Sequence, residues 1–329
     1  MAVEAGIPVL TAPSIKTGLD IDWDDPKART LALGRLLKQV HALGRFLENE
    51  LSQEISQPPL AEQWALVQKL IAQDTEPDPE GGGRKVTQGV AKDRRISVSD
   101  PDMRHGRKSK KRRIDGYKRH VAVQLDTPGV ICAVSITPAN QPERVAAADL
   151  LKQCGSLAEL YIDRGYLGDE AIESRRHDGM QVFCKPFPLH NGGRFTKADF
   201  EIDLEAGTAR CPQGVVVQAQ VGSVAHFPAD QCVVCPQRQL CTRAAPERGR
   251  SVTLHPQEPF LIQLRQRART PDGRTNLRKR IAVEHRLAAI HNRQGDRARY
   301  RGIRKNLFDL RRHAALNNLK VVDQLRRVA

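Results

Sequence analysis

The stretch Leu160-Tyr161-Ile162-Asp163, followed by Arg164-Gly165-Tyr166-Leu167-Gly168, is the starting point for assigning the fold. Its three consecutive apolar residues predict a strand covered on both faces, because buried parallel strands are apolar without alternation. Asp163 would then lie at the carboxyl edge of the sheet, where open α/β sheets place their chemistry. The same side chain can instead cap the following helix, since Asp is a favoured N-cap residue. The stretch therefore leaves two roles open for Asp163.

The composition indicates a nucleic-acid partner. The chain has 329 residues, with 53 Lys and Arg against 38 Asp and Glu, and a formal net charge of +15. This length allows one large domain or two ordinary ones, and a basic excess of this size favours a polyanion, most simply nucleic acid. The sequence contains no apolar run of about 18 residues, so no membrane span is predicted. The N-terminus has no signal-peptide pattern, so we expect a cytoplasmic protein. Seven cysteines in such a protein favour thiols or metal ligands over disulfides.

The N-terminal quarter is predicted to be helical. Asp22-Trp23-Asp24-Asp25-Pro26 is typical of a helix start, and the apolar residues that follow recur at helical spacing to about Leu51. A second helix is predicted from Ala61 to Gln73. The stretch from Thr75 to Arg84 is rich in Pro and Gly, which predicts a flexible linker.

A run of positive charge follows, in which seven of the ten residues 104–113 are Lys or Arg. Such a run repels itself, so we expect it to contact DNA phosphates. The alternative is a solvated loop. The predicted contacts are Arg104, Arg107, Lys108, Lys110, Lys111, Arg112 and Arg113.

The elements after this run predict an α/β layout with a mixed sheet. They are, in order, a hairpin of strands Tyr117–Leu125 and Val130–Ile136, a helix Glu143–Gln153, the strand before Asp163, a helix Asp169–His177 and a strand Val182–Cys184.

Residues 186–256 are loop-rich and hold four of the seven cysteines. Cys232 and Cys235 form a C-x2-C pair, which fits thiolate ligation of zinc, and Cys211 and Cys241 can supply two more ligands. Reduced thiols without metal are the alternative. Three further cysteines fall in predicted core elements and are expected to be packing residues: Cys132, Cys154 and Cys184.

A second carboxylate stands on a predicted helix from Arg274 to about Arg293. Leu277, Ile281, Glu284 and Ala288 share one face at helical spacing, so we expect Glu284 to point inward. A buried carboxylate must be paired or bound to a cation.

Two partners are open for Glu284. One is Arg280, one turn earlier, and the other is a divalent metal shared with Asp163.

A second basic tract follows the Glu284 helix, and a last helix is predicted from Leu307 to Leu325. The tract comprises Arg293, Arg297, Arg299, Arg301, Arg304, Lys305, Arg311 and Arg312.

Several motifs together resemble a bacterial insertion-sequence transposase of the DDE class, over about residues 84–320. They are Ile162-Asp163-Arg164-Gly165-Tyr166, Gly116-Tyr117-Lys118-Arg119-His120, Thr137-Pro138-Ala139-Asn140, the cysteine set, and Val283-Glu284-His285 with Arg299-Tyr300-Arg301-Gly302. The resemblance implies an α/β fold of the RNase H-like type, a mixed sheet flanked by helices. It also implies DNA as the partner.

That family holds two Mg²⁺ (or Mn²⁺) ions with two aspartates and a glutamate, and cleaves and joins DNA strands. By resemblance Asp163 is the second carboxylate, Glu284 is the third, and Arg280 matches the Arg that precedes this Glu by one turn. Leu277 stands where a Tyr is common, and His291 where a Lys is common. Arg280, Arg299, Arg301 and Arg304 are expected to contact DNA.

The first aspartate of the family has no clear counterpart. In the family it ends a strand that precedes the helical insertion, and no such strand precedes the helix that begins near Asp22. Asp100 and Asp102 are the nearest substitutes. We therefore expect an N-terminally truncated transposase, whose two remaining carboxylates would bind metal more weakly.

The predicted organisation is a helical segment at 1–75, a linker and basic run at 76–115, the first part of the RNase H-like core at 116–185, a cysteine-rich insertion at 186–256 and C-terminal helices at 257–329. The leading function is a transposase catalytic core, active or decayed, that acts on DNA and is expected to form a homodimer. The alternatives are a non-catalytic DNA-binding remnant and a zinc-stabilised nucleic-acid-binding adaptor. The adaptor predicts that Asp163 and Glu284 lie more than about 10 Å apart, too far for a shared two-metal site.

Overall fold

The protein is a mixed α/β chain whose residues separate into two units. The computed structural model describes residues 6–79, 81, 83–109, 111–127 and 129–328. The first unit comprises Met1–Gly116 and Pro138–Asn140, and the second comprises Tyr117–Thr137 and Gln141–Ala329. Among the described residues, no helix has the length and apolar character needed to cross a bilayer.

The first unit is mainly helical. Its elements are α1 (Ile15–Leu19), α2 (Pro26–Glu50), α3 (Leu60–Asp74), β1 (Thr75–Pro77), β2 (Arg84–Val86) and β3 (Arg104–Arg107). Asp25 caps α2 by accepting a hydrogen bond from the Lys27 amide, and Pro26 is the first helical residue, which confirms the predicted helix start. The Trp64 ring of α3 packs directly over Gly44 of α2, where a larger residue would leave no room.

The prediction of a flexible linker from Thr75 to Arg84 is wrong at both of its ends. Strands β1 and β2 pair in antiparallel register, with Thr75 opposite Val86. The Arg84 guanidinium donates to the Thr75 hydroxyl at 2.6 Å and to the Thr75 carbonyl at 2.7 Å. These bonds hold together the ends of the segment rich in Pro and Gly, which composition alone could not indicate.

Strand β4 (Arg113–Val123) begins in the first unit, where it pairs with β3, and continues into the second, where it pairs with β5. The second unit continues with β5 (Ile131–Pro138), α4 (Ala147–Cys154), β6 (Glu159–Ile162), α5 (Glu170–His177), β7 (Gln181–Cys184), β8 (Glu201–Asp203), β9 (Thr208–Arg210), β10 (Val216–Gln218), β11 (Val224–His226), α6 (Ala229–Val233), α7 (Arg238–Cys241), β12 (Ser251–Thr253), α8 (Glu258–Arg269), α9 (Pro271–Arg278), α10 (Ile281–Gln294) and α11 (Ile303–Val328).

Two of the apolar clusters of the second unit pack around β4 and around the β6–β7 pair. In one, Val121 of β4 packs with Ile290 of α10 and Leu310 of α11. In the other, helices α4, α5 and α8 surround the parallel pair β6–β7, with Ile172 and Val182 almost fully buried. Each such side chain contributes about 1.5–3 kcal/mol through burial. The predicted order of hairpin, helix, strand, helix and strand is therefore observed.

The cysteines outside residues 186–256 do not share one environment. Cys184 is buried in β7, as predicted, but Cys132 on β5 is exposed and Cys154 at the end of α4 is half-buried. The Cys132 and Cys154 sulfurs lie 3.6 Å apart. The prediction that all three pack in the core is thus wrong for Cys132, because its side chain lies outside the apolar clusters of β5.

Candidate functional site

Asp163 follows β6 and opens a short 3-10 turn, Arg164–Tyr166. Its Oδ1 accepts a hydrogen bond from the Arg164 amide at 2.8 Å, and 55% of its side chain is exposed. Of the three apolar residues before it, Ile162 is buried while Leu160 and Tyr161 are half-buried. The predicted strand exists, but it is not covered on both faces. Asp163 caps the turn with Oδ1, and more than half of its side chain stays exposed.

Motif residues distant in the sequence meet at this turn. The Tyr166 hydroxyl lies 2.6 Å from His120 Nδ1, and His120 Nε2 lies 2.9 Å from the Thr137 hydroxyl. Burial lowers the pKa of His120 to about 4 and raises the pKa of Tyr166, so both are neutral near pH 7. A neutral imidazole has one donor and one acceptor nitrogen, which suits two hydroxyl partners. Strands β4 and β5 thereby hold the turn that carries Asp163.

Glu284 lies in the first turn of α10, and 57% of its side chain is exposed. The prediction of one helix with Glu284 on its inward face is wrong. The helical segment breaks after Arg278, so α9 and α10 are separate helices. The face of α10 that packs on the core carries Val283, Leu287 and Ile290 instead.

Arg280, at the break between α9 and α10, joins the two carboxylates. Its NH1 nitrogen lies 3.6 Å from Asp163 Oδ2, and its NH2 nitrogen lies 2.5 Å from Glu284 Oε1. Because one planar guanidinium contacts both, the two carboxylate oxygens lie within roughly 8 Å of each other. This separation is below the distance that the adaptor hypothesis predicts.

The two carboxylates fit the chemistry of Mg²⁺ only in part. Mg²⁺ usually takes one or two carboxylates from a protein and completes its shell with water and phosphate oxygens. Asp163 and Glu284 can supply that share. Within the described ranges, however, no group of three or more His, Cys, Asp or Glu side chains is arranged to hold a metal ion. In the present geometry the cation between the carboxylates is the Arg280 guanidinium.

A third carboxylate, Glu143, lies beside the same turn and was not predicted from the sequence. A Cβ atom at Gly165 would overlap the Glu143 carboxylate, so a larger residue there would require this side chain to move. The charges of Glu143 and Asp163 both help to raise the pKa of Tyr166. The sequence signal was its position three residues after the Thr137–Asn140 motif.

The two candidates for the first carboxylate lie in the first unit. Asp100 is buried, and its Oδ1 accepts a hydrogen bond from the Asp102 amide at 3.1 Å. The Asp100 amide in turn donates to the Ser97 hydroxyl. This carboxylate therefore stabilises a local turn, and its assignment as a metal ligand stays a prediction.

Most of the predicted DNA contacts are exposed. In the first unit these are Arg107, Lys108, Lys111, Arg112 and Arg113; in the second they are Arg299, Arg301 and Arg304 near the start of α11. Lys110 lies outside the described residues. The Arg104 side chain is only 14% exposed and pairs with Asp93 at 2.7 Å. Its assignment as a DNA contact stays a prediction.

Aromatic rings and further cations flank the carboxylates. The Tyr161 ring of β6 stacks on the Phe183 ring of β7, with centroids 4.6 Å apart. Lys279 lies over the first ring at 5.2 Å, and Arg267 lies over the second at 5.6 Å. Lys279 also donates to the Tyr161 hydroxyl at 3.0 Å. These cations add positive charge beside Arg280.

The four cysteines of residues 186–256 line one cavity of about 220 Å³. All four are half-buried free thiols: Cys211, Cys232, Cys235 and Cys241. Burial raises the pKa of Cys241, and the charge of Arg250 acts in the opposite direction. The four cysteines that the sequence analysis named as candidate ligands therefore line the same cavity in the fold.

Comparison with known proteins gives one match. Residues 210–322 match the family model described as a transposase DDE domain. The matched region contains Arg280 and Glu284 and the four clustered cysteines, but it does not include Asp163. No match was found among curated proteins, and none among solved structures. The family match supports a DDE-type transposase, a class of protein that acts on DNA.

Proposed function

We propose that this chain is the catalytic core of a bacterial insertion-sequence transposase, which cleaves and joins DNA strands with Mg²⁺ or Mn²⁺ at Asp163 and Glu284. The observation that carries the proposal is the contact of Arg280 with both carboxylates. It places two acidic side chains from distant parts of the sequence at one exposed point. The family match over residues 210–322 and the net charge of +15 support the same reading.

The proposed fold is RNase H-like. Its support is the order of elements β4 to β7, with the Asp163 turn after β6 and Glu284 on a late helix. The homodimer expected from the sequence belongs to the same proposal, and sedimentation of the purified chain tests it.

Asp163 is held so that one of its oxygens stays available. Oδ1 accepts the Arg164 amide, while Oδ2 faces Arg280 at the longer distance of 3.6 Å. The bonds from Tyr166 to His120 and from His120 to Thr137 keep the turn in place. In the proposed site Asp163 therefore presents Oδ2 without moving its backbone.

Arg280 has two roles in the proposal. Without DNA it neutralises both carboxylates, which would otherwise repel each other and the phosphate backbone. With DNA bound, its planar guanidinium can turn to two phosphate oxygens, a geometry for which Arg is well suited. This exchange leaves Asp163 and Glu284 free as oxygen ligands. When bound there, Mg²⁺ supplies charge stabilisation at the phosphate and a more acidic water.

The second candidate function is a DNA-binding remnant without catalysis. It is favoured by the absence, among the residues described, of a third ligand arranged with Asp163 and Glu284. It would use the same exposed cations around residues 107–113 and 299–304. Such binding would be insensitive to sequence and would weaken steeply with salt.

A cleavage assay separates the two. The substrate is a plasmid carrying the genomic DNA that flanks the coding sequence on both sides, incubated with the purified chain and Mg²⁺ or Mn²⁺. We expect metal-dependent strand cleavage, and its loss in Asp163→Asn and in Glu284→Gln. Each substitution keeps the size of the side chain and removes only its charge.

Glu201→Gln is the matched control. Glu201 is an acidic residue with an 84% exposed side chain on β8, and it pairs loosely with Arg210 at 3.4 Å. This variant should cleave like the wild type. Cleavage that survives in Asp163→Asn and Glu284→Gln would overturn the proposed site. DNA binding with no cleavage in any metal would establish the remnant instead.

A further inference from the structure

We propose that Cys211, Cys232, Cys235 and Cys241 bind one Zn²⁺ ion, which holds the cysteine-rich segment of residues 186–256 in its folded form. The site is separate from Asp163 and Glu284, and it does not depend on the proposed function. Four thiols can supply the complete tetrahedral ligand set of a structural zinc ion, with no position left for substrate.

The fold brings these thiols together from different local elements. Cys211 follows β9, Cys232 lies in α6, Cys235 follows α6, and Cys241 ends α7. All four line the same cavity of about 220 Å³. Two of them are separated by two residues, so a single turn can direct both sulfurs to one ion.

Backbone hydrogen bonds form the turns that carry Cys211 and the Cys232–Cys235 pair. The Gly214 amide donates to the Cys211 carbonyl at 2.8 Å, and Gly214 has a φ of +86°, which glycine adopts at little cost. The Cys235 amide donates to the Cys232 carbonyl at 3.4 Å. These turns fix the two ends of the ligand set before any ion binds.

One donor already faces a sulfur. The Arg250 amide donates to Cys232 Sγ at 3.5 Å. Hydrogen bonds of this kind, from groups around the site to the ligand atoms, support metal ligands in proteins.

The segment has short strands and a core with many small residues. Its strands β8 to β12 are three residues long, and three of the seven buried residues of its apolar cluster are alanines. Segments of this kind usually need a disulfide or a metal, because they bury too little apolar surface. The seven cysteines are free thiols, so a bound metal is the remaining kind of cross-link.

The proposal includes a local closure around the ion. In the present geometry no three candidate ligands among the described residues are arranged for a metal. Binding would draw the four sulfurs inward to Zn–S distances of about 2.3 Å. The cavity between them provides the space for this movement, and the free energy of binding adds to that of folding.

Metal analysis of the purified full chain tests the proposal. We expect about one zinc and no iron per chain, as a single four-sulfur zinc site requires. The variant Cys232→Ser/Cys235→Ser should lose this zinc, while Cys184→Ser should keep it. Cys184 is the matched control because it is a buried thiol outside the cavity. Circular dichroism reports whether each variant is folded.

A second measurement uses the unaltered chain, so it does not depend on the variants folding. Removal of zinc with a strong chelator should expose four additional thiols to a colorimetric thiol reagent. Addition of Co²⁺ should then give the absorption of tetrahedral thiolate-bound cobalt. A chain without metal that gives no cobalt–thiolate band overturns the proposal, and so does iron in place of zinc. Because no DNA is present, these results are independent of strand cleavage.

Discussion

Acidification should destabilise the protein through a single buried histidine, His120. Its ring is almost fully buried between the Tyr166 and Thr137 hydroxyls, and burial lowers its pKa from 6.5 to about 4. The folded state therefore keeps the ring neutral, whereas the unfolded chain protonates near pH 6.5. Stability linked to His120 is complete above pH 6.5 and is lost as the pH falls toward 4.

The size of the effect follows from the difference between the two pKa values. One pKa unit corresponds to about 1.4 kcal/mol, so the full loss is about 3 kcal/mol when the pH reaches 4. At pH 5, where the folded protein is still mostly unprotonated at this site, the loss is about 2 kcal/mol. A loss of this size is a large fraction of a typical folding free energy of about 5–15 kcal/mol.

The assay compares the wild type with His120→Gln. Glutamine can bond to a hydroxyl but does not titrate, so it should remove the pH dependence that comes from this position. Urea unfolding at pH 7 and pH 5 gives the free energy of unfolding for both proteins. Contributions from other groups cancel in the difference. We expect the wild type to lose about 2 kcal/mol more than His120→Gln between the two pH values.

The reasoning would be refuted by equal losses in the two proteins. That result would mean that His120 titrates alike in the folded and unfolded states, and thus that the ring is not buried between its two hydroxyl partners. A variant that is unfolded at pH 7 is replaced by His120→Asn, whose shorter amide also lacks a titrating group.

Three further outcomes are expected. Arg280→Gln should change the free energy of unfolding by less than about 1 kcal/mol, because the ion pairs of Arg280 are solvent-exposed. The same variant should bind Mn²⁺ more tightly in calorimetric titration. Weaker binding would contradict the role of Arg280 as a competing cation. Oxidised glutathione should link Cys132 to Cys154 in peptide maps, faster at pH 8 than at pH 6, since their sulfurs lie 3.6 Å apart and the pKa of Cys132 is lowered to about 7. Maps without this linkage would count against the geometry. Leu310→Ala, at a fully buried position on α11, should cost about 3 kcal/mol in urea unfolding, and a cost below about 1 kcal/mol would show that the cluster with Ile290 is looser than described.

Local signals in the sequence were sufficient for several elements. The start of α2 at Asp25 and Pro26 was predicted correctly, because a capping carboxylate and a proline in the first turn act within a few residues. Capping was one of the two roles that the sequence left open for Asp163, and the structure shows it at the turn after β6. The order of strands and helices from β4 to β7 followed from apolar patterning and turn residues.

Predictions that needed helical phase over a longer range were less successful. One apolar stripe was drawn from Leu277 through Glu284 to Ala288, on the assumption of an unbroken helix. The helix breaks at Arg280, and in the second helix Val283 and Leu287 face the core while Glu284 is more than half exposed. The sequence contained the correct residues for the site but could not show which way they point.

The sequence by itself determined the chemical inventory of this protein: an excess of positive charge, two separated carboxylates and four clustered cysteines. Only the tertiary structure decided that Arg280 contacts both Asp163 and Glu284, and that His120 holds the turn of Tyr166. It also showed that Arg104, in the predicted set of DNA contacts, pairs with Asp93. The physical reason is that residue type and spacing govern local structure, whereas contacts between distant residues depend on how the strands and helices pack.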